Sequence, residues 1–195
     1  MAINIHKIFS DALLELCKTR KLESITVKDL LDHTGVSRQS FYNRFLDKNA
    51  LIQWTYENNV LAAFHKAGPG ASYYINTLNY YKAIHAYRYF MKQAVQMRGQ
   101  NCLRDFIYEY ALEYDINYHK MFYGEDVLPD EFMFATWYHA AAAIDVAMQW
   151  IICDHPDPPE VMAARITNMR KISMSDLMFG QNHQIYEIPG DHTND

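Results

Sequence analysis

No apolar run in this sequence approaches the roughly 20 residues that cross a bilayer. The opening residues are interrupted by Asn4, His6 and Lys7, where a secretory leader needs an unbroken apolar stretch. Neither a membrane span nor a leader is expected, so the expected location is cytoplasmic. Cysteine is sparse. Cys17, Cys102 and Cys153 are odd in number, far apart, and lack the C-x-x-C spacing of a zinc or redox site. They read as reduced thiols. Nine histidines are present, but no pair has H-x-x-x-H or H-E-x-x-H spacing, and His119, His139 and His155 fall on three separate elements. No metal site is expected. Also missing are G-x-S-x-G, a P-loop and the glycine fingerprint of dinucleotide sites, and the acidic residues are scattered along solvated faces. No catalytic residue can be named, and neither an enzyme nor a cofactor is expected.

What is present is a 195-residue chain that is 50% hydrophobic, enough for one core with a small appended domain and far from the composition of disorder. The net charge of −5 is unevenly spread: residues 1–50 hold eight Lys and Arg against six Asp and Glu, and the acidic excess follows them. That cationic quarter suits a phosphate-binding surface or a solvated helix face equally. Helical periodicity runs nearly throughout, with none of the sustained alternation that strands show. The expected fold is all-α.

In the first segment Ile5, Phe9, Ala12, Leu13 and Leu16 recur at three- and four-residue steps and form one apolar stripe. Thr26 caps a short second helix, with Asp29 three residues on as its acidic partner. That helix ends near His33. Gly35 follows where a left-handed backbone is needed, and Ser37 caps a third helix. Val36 packs back on both helices, while Phe41 and Phe45, four apart, bury one face of the third. Its leading turn, Arg38, Gln39 and Ser40, is polar and suited to reading base edges in a major groove. Tyr42, Arg44 and Lys48 flank it within reach of phosphates. Singly, each of these side chains reads as well as surface filler; together they read as a helix-turn-helix.

The text IFSDALLEL, followed by SITVKDLLDHTGVSRQSFYNRFLDKNALIQW, carries the run GVS-x-x-x-FY-x-x-F-x-x-K. Over residues 8–54 the chain thus resembles the DNA-binding domain of the tetracycline-repressor (TetR/AcrR) family of transcriptional regulators. The resemblance implies double-stranded DNA as partner. It implies base reading by Arg38, Gln39 and Ser40, and backbone contacts from Thr26, Lys28, Tyr42 and Lys48, with Arg44 in either role. The chain departs from the family pattern at Leu31 and Thr34, where small alanines commonly stand. GQNCL at residues 99–103 resembles a Firmicutes-type subgroup of the same family.

Beyond the third helix, Asp47 caps a fourth that runs to the AGPGAS break at residues 67–72. Ile84, Tyr87, Met91 and Val95 form a stripe ending near Gly99, and Asn101 caps the next helix. Pro129 and Asp130 introduce a long helix from about residue 131 to 153. Asp157 caps a last one, with prolines in its first turn, that runs to about residue 178. The expected division is a helix-turn-helix domain at 1–48, a helical dimerisation and effector domain at 49–179, and a polar, weakly packed tail at 180–195.

Residues 73–123 hold eleven of the fifteen tyrosines. The segment reads either as an aromatic core or as a pocket for a small apolar or aromatic effector, with Tyr87, Met91, Phe106, Tyr110 and Tyr114 as candidate lining. The alanines at 140, 141, 142, 143 and 147, with the stripe Met162, Ile166 and Met169, suit either an intramolecular core or a seam between two chains. The seam reading assigns Ala140, Ala143, Ala147, Met162, Ile166 and Met169 to a homodimer interface, and two-fold symmetry then predicts a palindromic operator. Two functions compete: a dimeric DNA-binding transcription regulator, repressor or activator, controlled by a small-molecule effector, and an interaction protein that keeps the helix-turn-helix but acts mainly through a protein partner.

Overall fold

The computed structural model describes residues 4–68, 71–124 and 126–170, and the expected tail lies outside them. Among the described residues the chain is entirely helical, as the periodicity predicts. Asn4 caps α1 (Ile5–Leu16) by accepting the Lys7 amide, and Phe9, Ala12 and Leu13 of the predicted stripe are buried. A short 3-10 turn, Leu22–Ser24, leads to α2 (Val27–Thr34), which turns through Gly35 into α3 (Arg38–Tyr42). These elements close on Phe41, whose ring meets Phe9 edge to face at 5.0 Å and Phe45 at 5.5 Å. Edge-to-face rings hold both the spacing and the angle between helices.

Asp47 caps α4 (Lys48–Tyr56) by accepting the Ala50 amide at 2.8 Å. The helix then widens into a π turn over Glu57–Leu61 before resuming as α5 (Ala62–His65). Sequence periodicity gave no sign of that widening. Ser72 caps α6 (Tyr73–Ala86), and a break at Tyr87 (φ −101°, ψ 26°) separates it from α7 (Arg88–Ala94). The stripe Ile84, Tyr87, Met91, Val95 therefore crosses two helices.

Asn101 does not cap the following helix. It holds a left-handed backbone, φ 55°, and its carbonyl accepts from Gln53 at 3.0 Å, while Cys102 occupies the cap of α8 (Leu103–Tyr123). The long helix α9 is Asp130–Ile152, with Pro129 before it. Asp157 likewise stands ahead of its helix, α10 (Pro159–Arg170): its carbonyl accepts from Trp150 and its carboxylate pairs with Arg165. α10 lies chiefly against α6, and α8 against α9. One continuous core runs from Phe9 on α1 to Ile166 on α10. No helix among the described residues is long and apolar enough to cross a membrane.

Candidate nucleic-acid interface and effector cavity

The start of α2 is a closed capping box. Thr26 Oγ1 accepts the Asp29 amide at 3.2 Å, and Asp29 accepts the Thr26 amide at 2.7 Å and its hydroxyl at 2.6 Å. Arg20 pairs with the same carboxylate at 2.9 Å, and the guanidinium, with Thr26, holds the Asp29 carboxyl well below its ordinary value. Thr26 is exposed but its hydroxyl is engaged; Lys28 beside it is exposed and in no ion pair among the described residues. Gly35 takes φ 68°, a region that penalises any side chain, and its amide donates to Leu31 at 2.9 Å. Thr34, one of the departures from the family pattern, ties this turn together. Its hydroxyl donates to the Leu30 carbonyl at 2.7 Å and accepts the Val36 amide at 3.3 Å. Leu31, the other departure, packs half-buried against the core.

Ser37 caps α3, accepting the Ser40 amide at 3.2 Å, and its own hydroxyl lies 3.0 Å from Ser40 Oγ. Ser40 is consequently half-buried and engaged, whereas Arg38 and Gln39 stand exposed at the leading end of the helix. Tyr42 is 49% exposed with its ring edge-to-face on Phe41. Arg44 is exposed and donates to the Ser40 carbonyl at 3.0 Å. The helix thus presents two polar side chains unengaged among the described residues, Arg38 and Gln39, flanked by a phenol and two cations, Lys28 and Arg44.

Lys48 differs from its expected role. Its ammonium donates to the carbonyls of Leu22 at 3.0 Å, Glu23 at 3.0 Å and Ile25 at 2.8 Å, so all its donors are engaged by the chain. Burial also pushes its pKa down. A lysine so placed staples the turn between α1 and α2 onto α4 instead of reaching phosphate. Gln93 of α7 holds the same turn from the other side, accepting the Leu22 amide at 2.7 Å and donating to the Cys17 carbonyl at 3.3 Å. Asn59, within the π turn, donates to Ser10 of α1 at 3.2 Å. These links join the DNA-facing helices to the rest of the molecule. The sequence carried no sign of them, because each spans more than twenty residues.

The tyrosine-rich segment is neither packed solid nor widely open. It holds a half-open cavity of about 110 Å³ lined by Tyr56, Tyr80, Tyr81, Tyr110 and Tyr114 among others. That is smaller than the roughly 300 Å³ at which drug-sized sites begin. Of the candidate lining, Tyr110 and Tyr114 face it; Tyr87, Met91 and Phe106 do not. Met91 is buried in the core, Tyr87 packs at its margin, and Phe106 meets Tyr56 edge to face at 6.1 Å. Sequence reasoning missed Tyr56 and Leu61, at the two ends of the π turn, and Thr77 on α6. π turns recur at functional sites, but nothing in the local sequence marks this one.

The expected dimer seam needs correction as well. Ala140, Met162 and Ile166, the last 9% exposed, belong to the buried core of the single chain, and Ala143 and Ala147 pack against it. Met169 remains outward, 56% exposed. The reason is α6, which takes up the apolar face of α10 within the chain. The outward face of α9 carries Phe134, Trp137, Tyr138, Ala141, Ala142 and Val146 instead, with Tyr138 71% exposed.

Comparison with known proteins defines the class. The TetR-type "Transcriptional regulator C-terminal region" matches residues 73–171, half of the chain. The chain belongs to the TetR family of transcriptional regulators. Over 58 residues the chain is 31% identical to the "HTH-type dhaKLM operon transcriptional activator DhaS" of Lactococcus lactis subsp. lactis (strain IL1403). That match covers 30% of this chain and 31% of the relative's length. A solved structure titled "Dihydroxyacetone kinase operon activator DhaS" has the same fold, with a TM-score of 0.64 at 20% identity over 89% of this chain and 98% of that one.

Proposed function

We propose that this regulator binds a palindromic operator as a homodimer, with one recognition helix in each of two successive major grooves, and that a small molecule in the tyrosine-lined cavity alters its hold on DNA. The observation that supports this most is the leading end of α3, where Arg38 and Gln39 stand exposed and, among the described residues, unengaged between two capped turns. A side chain that must pair with a base edge has to be free of its own chain. Arg38 and Gln39 read bases; Ser40, held by Ser37, sets the helix start more than it reads. Lys28, Tyr42 and Arg44 meet the backbone beside Thr26, and half-sites lie about 34 to 36 Å apart or at a related spacing.

The second copy covers the outward face of α9. Trp137 and Tyr138 are large anchors, and Ala141 and Ala142 one turn on let a partner helix approach closely. The boundaries proposed for the parts are 1–48 for DNA binding and 49–179 for dimerisation and the effector. Cavity and DNA are linked through the π turn, whose Asn59 holds α1, and through Gln93, which holds the turn ahead of α2. Operator occupation represses when it overlaps a promoter. DhaS is named an activator, and a reporter on the neighbouring promoter gives the sign here.

The test is sedimentation and gel-shift titration of the full chain and of Trp137→Asp with Tyr138→Asp. The double variant should be a folded monomer that loses operator binding, because a charged seam does not close. The exposed aromatic face also supports the reading in which a different protein is the main partner. A parent chain that is monomeric at micromolar concentration, with no salt-dependent affinity for duplex DNA, would favour that second reading.

A further inference from the structure

Three helical threonines, Thr34, Thr55 and Thr136, donate their hydroxyls to the carbonyl four residues back, at 2.7, 2.8 and 2.7 Å. That bond is the usual recourse for a threonine inside a helix. Thr77, on α6, does not make it. It is 3% exposed, it lines the cavity, and its Oγ1 has no hydrogen-bond partner among the described residues. A buried hydroxyl without a partner is destabilising, and an unsatisfied group in a folded chain calls for an explanation. A ligand beside it supplies one.

The other walls define what that ligand is. Tyr56 and Tyr80 bond to each other, hydroxyl to hydroxyl, at 2.8 Å, and Tyr110 bonds to His65 at 2.8 Å. Three of the lining phenols, Tyr56, Tyr80 and Tyr110, are thus engaged with the protein, whereas Thr77 Oγ1 is a buried wall hydroxyl without a hydrogen-bond partner among the described residues. Burial pushes Tyr80 up to about 12 and raises Tyr56 and Tyr81 further from titration, so these walls stay neutral. Among the described residues no lysine or arginine lines the cavity, and the one carboxylic acid there is Asp115. An anion would enter without a counter-charge, which burial penalises heavily. Size points to a small ligand: a closed, dry cavity of about 150 Å³ accommodates benzene, and this one is about 110 Å³ and only half enclosed, so it can take one ring with a substituent toward its open part.

We propose that the cavity takes an uncharged molecule built on a single six-membered ring, bearing one hydroxyl or carbonyl oxygen that hydrogen-bonds to Thr77 Oγ1. The assignment rests on the effector reading above and gives it a chemistry. Thr77 is the specificity residue, and the aromatic and alanine walls supply the affinity.

Calorimetric titration of the full chain with phenol, toluene and benzoate tests it, in the parent, Thr77→Val and Thr77→Ser. The parent should bind phenol about tenfold more tightly than toluene, a preference within the range of one buried hydrogen bond, and should not bind benzoate. Thr77→Val should erase the preference while melting no lower than the parent, because the orphaned hydroxyl is gone. Thr77→Ser should keep the preference. Equal binding of phenol and toluene by the parent, an unchanged ratio in Thr77→Val, benzoate binding as tight as phenol, or no phenol binding at millimolar concentration would each overturn the proposal. Operator affinity measured alongside separates the two claims. An anion that releases the operator overturns this ligand class and leaves effector control standing. Phenol bound with the stated preference, at unchanged operator affinity, supports the ligand class and removes the effector role.

Discussion

Asn4, Thr26, Ser37 and Asp47 close the starts of α1 to α4 by accepting an amide three residues on, whereas beyond them Ser72 so caps α6 but α7, α8 and α9 begin with no side-chain cap. The buried side-chain atoms left without a hydrogen bond follow the same division: those of Asn76, Thr77, Arg88 and Thr167 all lie in the second region. Exposed aromatic groups gather there too, at Phe122, Phe134, Trp137 and Tyr138. Among the described residues, the buried side-chain polar atoms of the DNA-facing region all have partners, as those of a rigid reading head should. The helical region keeps unpartnered buried polar atoms and exposed aromatic side chains, the features on which the proposed second copy and ligand rest. That difference is what a regulator needs, since a part satisfied in every state has nothing to respond to.

Phe41→Ala is the largest predicted break in this comparison. Phe41 is fully buried between Phe9 and Phe45, so its loss should cost about 3 to 5 kcal/mol. Urea unfolding should show the N-terminal region destabilised, with DNA binding abolished. Arg38→Ala comes next: about 1 to 3 kcal/mol lost on the specific site with preference relaxed at one base position, and little change on random duplex, measured by competition titration. Equal losses on both would remove Arg38 from base reading.

Lys48→Met sharpens the comparison by separating staple from phosphate contact. Its exposure and three carbonyl bonds together suggest about 1 kcal/mol of stability. The slope of log affinity against log salt should stay as it was, where loss of a phosphate contact would lower it by about 1. A smaller effect concerns acid. Because Asp29 is held below its ordinary value of 3.8, chiefly by Arg20 and then by Thr26, its contribution is fully present above that pH. It is lost as pH falls from there through the depressed folded value. Asp29→Asn should therefore flatten the acid limb of the stability curve and leave the neutral region unchanged in slope. Smallest of all, a thiol reagent should find exposed Cys153 in the folded protein and reach Cys17 and Cys102 only on unfolding. Burial pushes the Cys17 thiol up to about 11, which keeps it protonated.

The same division decided what the sequence disclosed. Thr26, Gly35, Ser37 and Asp47 act through bonds three or four residues long, so their positions announce the helices they begin or end. The Met162 and Ile166 stripe announced an apolar face but not what covers it, and α6 of the same chain does so. Lys48 sits in a family motif, yet its partners lie more than twenty residues away. The break at Tyr87 was hidden because an apolar stripe runs through it with helical spacing. Thr77 gives no signal at all in sequence; its meaning is an absent bond.

The central claim, that the N-terminal region reads a two-fold-symmetric site for a pair of chains, is tested most directly by selecting binding sites from random duplex DNA and titrating the enriched sequence at several salt concentrations. The account predicts an inverted repeat bound by two chains per site, with affinity falling steeply as salt rises and Arg38→Ala losing the preference for it. Recovery of no common sequence, or a site without two-fold symmetry bound by a single chain, would contradict it.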